Sequence, residues 1–197
     1  EYAPGDVIQC PPYFSVEPIR VNHSIADAVA LAIRTPVGVV IHTGDYKIDT
    51  TPIMGEPIDL TRFGELGREG VLCMMADSTN AEREGTSSSE RSVGATFEQI
   101  FSQKSNRNRR IIVATFASNV SRVQQVINAA VHAGRKVAVA GRSMVNVLSV
   151  AQELGYMDIP KGTLVDLEQI NRYPAEQMCL ITTGSQGEPM SALYRMA

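Results

Sequence analysis

The stretch VNHSIADAVALAIRTPVGVVIHTGDYK, Val21 to Lys47, holds two of the chain's three histidines, and each is followed by small polar residues and then an aspartate. Imidazole nitrogen and carboxylate oxygen are donors that divalent ions such as Zn2+ and Mn2+ accept. Between them lie two apolar runs, AVALAI (Ala28 to Ile33) and GVVIH (Gly38 to His42), joined by Thr35-Pro36-Val37-Gly38, which has the composition of a hairpin turn. A hairpin brings the ends of its open side together, so His23 and Asp45, which flank the two runs, can meet at one sheet edge. That geometry suits a metal held by nitrogen and oxygen. It equally fits a solvated histidine beside a turn aspartate, because two ligands do not make a catalytic site. His42 reads as a packed or supporting histidine on the strand interior, and His132, near a helix C-terminus, as a complement to the helix dipole.

A second kind of chemistry is suggested by TFASN (Thr115 to Asn119), AGRSM (Ala140 to Met144) and TTGSQGE (Thr182 to Glu188), each at the end of a strand-like run. In an open parallel sheet, ligands bind beyond the carboxyl ends of the strands. Small residues mixed with Ser, Thr, Asn, Gln and Arg let backbone N–H groups and hydroxyls approach an anion there. The candidate contacts are Ser118, Asn119, Arg122, Arg142, Ser143, Thr183, Gly184, Ser185 and Gln186, with the two guanidinium groups able to fork onto phosphate. The same residue types also make helix caps and strand-to-helix turns, and for any one loop that alternative stands. Three matching loops at neighbouring strand ends favour an anion site.

The elements that must position these groups fall into two regimes. Before Asp77, short apolar runs separated by Pro and Gly, including VEPIRV (Val16 to Val21) and VLCMMA (Val71 to Ala76), predict a region made mostly of sheet. After it the periodicity alternates. One of Ser87, Ser88 and Ser89 caps a helix carrying Val93, Phe97, Ile100 and Phe101 on one face, and Ser87 with Glu90 has capping-box spacing. IIVATF (Ile111 to Phe116) is a strand. Ser118 then caps a helix with a stripe of Val120, Val123, Ile127, Ala130 and Val131, which ends at Gly134. KVAVAG (Lys136 to Gly141), a helix over Met144 to Leu154 and MCLITTG (Met178 to Gly184) complete a strand–helix alternation, which implies parallel pairing with right-handed crossovers.

Composition narrows the function classes. The 197 residues are 44% hydrophobic and 20% charged, ordinary for a globular protein, and no apolar run approaches the roughly 18 to 20 residues that cross a bilayer. The start, EYAPGDVIQC, has no initiating Met, basic leader or signal core, as expected of an internal piece of a longer polypeptide. Three cysteines, odd in number and far apart, read as reduced thiols of a cytosolic protein. A net charge of -3 gives no global attraction to nucleic acid, and KSNRNRR (Lys104 to Arg110) is the one dense basic cluster. Neither a G-x-G-x-x-G fingerprint nor a P-loop is present, which argues against an unrelated nucleotide-binding domain.

Five consecutive pieces carry a family resemblance: VNHSIADAVALAIRTPVGVVIHTGDYKID, ADSTNAEREGTSSSE, RIIVATFASNVSRVQQV, GRKVAVAGRSM and TTGSQGEPMSAL. Together they resemble the bacterial ribonuclease J family, in the β-CASP branch of the metallo-β-lactamase superfamily. The resemblance implies an α/β chain in which residues 1–85 are part of a metallo-β-lactamase αββα sandwich and residues 86–197 a Rossmann-like β-CASP domain with a parallel sheet. It implies a centre of two metal ions, zinc with manganese able to serve, activating water for attack on an RNA phosphodiester. By motif, His23 corresponds to a metal-ligand histidine and Asp45 to the aspartate that bridges the metals. Asp77 corresponds to the first acidic motif of the branch, which helps to order the active site. The strand-end loops would hold the 5′-monophosphate and nearby backbone of RNA.

The sequence departs from the family pattern at Ala26, where proline is usual, and in lacking a cluster of the form HxHxDH. The implied parent is a cytoplasmic enzyme of RNA processing and decay with 5′-to-3′ exonuclease and endonuclease activity, working as a homo-oligomer or with a paralogous subunit. This chain alone is expected to be inactive, since His23 and Asp45 cannot complete a two-metal site. The rival expectation is a non-catalytic RNA-binding or assembly module.

Overall fold

The computed structural model describes residues 1–196, which divide into two compact units, one of residues 1–89 and one from Glu90 onward. The first unit is a five-stranded sheet in chain order: β1 (Ile8–Cys10), β2 (Phe14–Arg20), β3 (Val29–Thr35), β4 (Gly38–His42) and β5 (Val71–Met75). β3 and β4 form the expected hairpin, with Thr35 opposite Gly38 and Leu31 opposite His42. β5 joins β4 in parallel, after a crossover through α1 (Leu60–Glu69). Alternation along β3 and β4 buries Ala30, Ala32, Val39 and Ile41, which pack with Ile19, Val21, Ile58 and Leu66. Leu66 is fully enclosed, a contribution of about 1.5–3 kcal/mol.

Helix α1 begins where Asp59 accepts the Arg62 backbone N–H (3.0 Å) and stops at Gly70, whose φ of 101° few side chains tolerate. Its Arg62 reaches back to β2, donating to both carboxylate oxygens of buried Glu17 at 2.6 and 2.9 Å. A full αββα sandwich, of which residues 1–85 are expected to hold a part, is not present among the described residues of this unit, which has one sheet and one α-helix.

The second unit is the predicted mixed α/β layer. Its sheet is wholly parallel: β6 (Ile111–Ala114), β7 (Lys136–Ala140) and β8 (Met178–Thr182) run in the order β6-β8-β7. All five residues of central β8 are buried, as a strand covered on both faces requires. The other elements are α2 (Glu90–Ser102), α3 (Val120–His132), α4 (Arg142–Glu153) and α5 (Ala192–Met196), with short 3-10 turns over Lys104–Asn106, Leu167–Arg172 and Ala175–Gln177.

Several helix ends differ from expectation. α2 begins at Glu90, so of the three serines expected to cap it Ser89 is the one that directly precedes it, and Ser87 lies too early for capping-box register; the Glu90 carboxylate takes Arg122 of α3. The cap of α3 is Asn119, one residue beyond Ser118, because the Asn119 side chain accepts the Arg122 backbone N–H at 3.1 Å. At its other end the Arg135 N–H reaches Ala130 O and the Gly134 N–H reaches Val131 O, the paired bonds of a glycine-terminated helix. Cys179 is buried within β8, which pushes its thiol up to about 12 and leaves it unreactive, whereas Cys10 and Cys73 are exposed; all three are free.

Candidate functional site

In the first unit the chain on both sides of the β3–β4 hairpin is drawn together beyond its open end. Asn22 and Lys47 form an antiparallel bridge, with the Lys47 N–H donating to Asn22 O at 2.7 Å. The Asn22 side chain is clamped in turn, donating to Glu56 O at 3.0 Å and accepting the Ile58 N–H at 2.9 Å. His23 follows directly and Asp45 lies two residues before Lys47, both exposed. Gly44 lets the turn into Asp45 form: its φ is +59° and a side chain would meet Val29 O at 3.1 Å.

Asp77 joins this edge through Thr43, whose buried hydroxyl accepts the Asp77 N–H at 3.0 Å while its own N–H reaches Met75 O. Hydrogen bonds from the Thr79 backbone and side chain hold the Asp77 carboxyl below the usual carboxylate range, and the Tyr46 backbone and the charge of nearby His23 add to this. His42 is exposed rather than packed, and its Nδ1 accepts the Gly44 N–H at 3.0 Å. His132, also exposed, lies 2.9 Å from Glu98 of α2.

His23, Asp45 and Asp77 supply the nitrogen and oxygen donors that zinc and manganese take. Among the described residues, however, no three His, Cys, Asp or Glu side chains gather as a metal-holding group. The described residues therefore do not fit a complete metal centre.

In the second unit the parallel register aligns Ala114, Thr182 and Ala140 as the last residues of three adjacent strands, so the loops that follow leave the same edge. A cleft of about 390 Å³ opens there, lined by Gly141, Arg142 and Ser143 from the β7–α4 turn and Thr183 and Gly184 after β8. Ser191 and Arg195 line it too. The N-cap of α4 is Gly141, with φ 109° and no side-chain cap, so the first N–H groups of this helix have no capping acceptor and the positive end of its dipole meets the cleft.

Neither Arg142 nor Arg195 is in an ion pair among the described residues. The one acid in the lining, Glu188, accepts the Gln186 N–H at 3.2 Å and so is tied to its own loop. The back wall is stitched together: Thr183 O accepts the Leu193 N–H at 3.1 Å, and Thr183 Oγ1 the Ala192 N–H at 3.4 Å. Chemically this is a basic, donor-rich recess for a small anion such as a phosphate.

Of the residues expected to contact phosphate, Arg142, Ser143, Thr183 and Gly184 are brought together in this cleft. Ser185 and Gln186 are exposed on the loop outside its lining, and Ser118 is exposed after β6. Asn119 and Arg122 are placed in structural roles, as the α3 cap and as the partner of Glu90 at 2.6 Å. Arg195 and Ser191 were missed by sequence reasoning. The signal available was PMSALYR, a serine that can open a helical turn with an arginine one turn later.

Residues 108–197 match the family described as "Ribonuclease J, beta-CASP domain". The chain is 47% identical to "Ribonuclease J" of Synechocystis sp. over 99% of its length and 30% of that protein's. It is 44% identical to "Ribonuclease J" of Thermus thermophilus over 100% of this chain and 34% of that one. Against "Ribonuclease J" of Helicobacter pylori (strain J99) it is 45% identical over 93% of this chain and 26% of the relative. The chain thus spans about a third or less of the curated relatives it matches. Its fold resembles the crystal structure of a protein of unknown function from Enterococcus faecalis V583, with a TM-score of 0.64 at 16% identity, over 99% of this chain and 51% of that one. The chain belongs to the ribonuclease J family, and its second unit carries that family's β-CASP domain.

Proposed function

We propose that this chain is the RNA-handling segment of a metal-dependent ribonuclease that works in RNA processing and decay as a 5′-to-3′ exonuclease and endonuclease. The observation that carries the reading is the cleft at the strand ends, where the uncapped start of α4 meets Arg142 and Arg195. A terminal phosphate carries more charge than an internal phosphodiester, and two arginines with helix N–H donors favour it. The substrate is then RNA with a 5′-monophosphate, held by Arg142, Ser143, Thr183 and Gly184.

The first unit, as part of a metallo-β-lactamase domain, supplies His23 and Asp45 toward a zinc or manganese centre, with Asp77 ordering the same edge. A metal pair held there would supply activation of water for attack on the phosphodiester. The remaining ligands would come from the rest of a polypeptide as long as the relatives, in the cytoplasm, as a homo-oligomer or with a paralogous subunit. No described helix is long and apolar enough to cross a membrane.

The test is binding of the same single-stranded RNA with a 5′-monophosphate and with a 5′-hydroxyl. The monophosphate should bind about tenfold tighter, and Arg142→Ala should erase the preference. Equal affinity for the two ends in the unaltered chain would overturn the reading.

A second reading, a non-catalytic RNA-binding or assembly module, is favoured by the observation that no three metal-ligating groups gather among the described residues. Metal content tests whether the chain completes a centre by itself, which neither reading expects. After incubation with zinc and dialysis, the chain should retain less than about a tenth of an equivalent, since isolated His and Asp donors bind weakly. One or two retained equivalents would mean that it completes a centre itself, and nuclease assays would follow.

A further inference from the structure

At the N-terminal end of β6, opposite the end that carries the cleft, the chain makes a compact basic loop from Lys104 to Arg110. It holds four cations and no acid, and Lys104, Arg107 and Arg109 are exposed and in no ion pair among the described residues. A run of surface charge in a flexible loop would be ordinary. This loop is instead fixed from within. Arg135, only 5% exposed, donates to Asn106 O at 2.8 Å and to Arg109 O at 2.7 Å, and its guanidinium lies 5.9 Å from the Phe101 ring centroid. The Asn106 side chain donates to Ile100 O at 2.9 Å, tying the loop to the end of α2.

Two consequences follow. The loop's cations are held in place before any partner arrives, which lowers the ordering cost of binding. The buried Arg135 charge is compensated by carbonyl dipoles and an aromatic ring, with no carboxylate paired to it among the described residues, so it adds to the positive field beneath the loop.

We propose that this loop is a second RNA contact, separate from the cleft, which grips the sugar–phosphate backbone without reading sequence. The inference rests on the RNA reading of the cleft. Arginine predominates, and its planar fork suits phosphate oxygens. The loop contains no aromatic or large apolar side chain, so it has neither a stacking platform for bases nor the buried anchor that a protein interface uses. What remains is backbone electrostatics, whose signature is salt dependence.

The experiment measures binding of a short single-stranded RNA with a 5′-hydroxyl, which does not engage a 5′-phosphate pocket, across about 50 to 200 mM KCl. The whole chain is compared with the triple variant Lys104→Ser, Arg107→Ser, Arg109→Ser. The variant should bind at least tenfold more weakly at the low-salt end, and its log–log salt slope should be shallower by about 2, as the loss of three phosphate contacts predicts. The double variant Arg107→Lys, Arg109→Lys should keep the slope, because the charge is kept.

An unchanged slope in the triple variant, or a slope lost in the lysine variant, would overturn the proposal. Displacement of the RNA by polyglutamate as effectively as by unlabelled RNA would also overturn it, in favour of an acidic protein partner. A retained preference for 5′-monophosphate with no effect of the loop variant would sink this inference alone. A slope change without any 5′ preference would sink only the reading of the cleft.

Discussion

Replacing Arg62 with alanine is expected to cost the first unit about 2–3 kcal/mol at neutral pH, because it leaves the buried Glu17 carboxylate without its two-pronged partner. The value sits at or below the lower end for a broken buried pair because the Arg62 side chain is 24% exposed and Arg34 remains 3.9 Å from Glu17. The pH dependence should change with it. Hydrogen bonds from Arg62 hold the Glu17 carboxyl below its usual range. A depressed carboxylate pKa contributes stability that is fully present above the unfolded value, about 4.3, and is lost as pH falls through the folded value. The unaltered unit should therefore weaken on acidification below about pH 4.3. The variant should lose that component, so the gap between the two should narrow as pH falls. Urea midpoints at pH 7 and at about pH 3, well below the unfolded value, give the answer, and a gap that stays constant would remove Glu17 from the explanation.

Gly184→Ala is expected to cost the second unit about 3 kcal/mol and to abolish any preference for a 5′-phosphate. The residue has φ +111°, and a Cβ there would sit 2.5 Å from Ser191 Oγ and 2.9 Å from Leu193 Cβ. Backbone strain and overpacking each contribute about 1–3 kcal/mol. Relief requires the start of α5 to move away from Thr183, and that displaces the wall of the cleft. Gly187→Ala is the control: its φ is +71°, but a Cβ there meets nothing within 4 Å, so only the strain should appear. Thermal unfolding of the two variants side by side checks this, and equal losses would mean that packing against Ser191 and Leu193 has no role.

Much of this was legible because local pattern and burial agree. The hairpin around Thr35–Gly38, the stripe of α3 and the three strands of the parallel sheet all follow from spacing that the fold then buries. What escaped depends on distant partners. Ser118 and Asn119 are both good caps by type, and only the path of the chain toward Arg122 selects Asn119. Glu90 has capping-box spacing, but an arginine 32 residues later in sequence claims its carboxylate. α1 was passed over because its apolar positions are sparse, Leu60, Phe63 and Leu66 standing among four charged residues; its place is set by Glu17 and by the sheet. Of the candidate site, the loop segments were readable as anion-binding types. Which side chains turn inward was not, because Arg122 and Arg142 look alike until one is found paired and the other unpaired.

The strand order β6-β8-β7 carries one more implication, for how the molecule is made. β6 and β7 never touch; they stand on either side of a slot about 10 Å wide, two strand spacings across, which the last strand of the sheet fills. A chain emerging from a ribosome presents β6 and β7 first, each with unpaired backbone on the side where β8 will lie. No part of the parallel sheet exists until Met178–Thr182 arrives, and then both ladders close at once. The Thr183–Gly184 wall of the cleft hangs directly from that strand. The cleft is thus the last feature this unit acquires, and a nascent chain cannot present it before its own fold is finished.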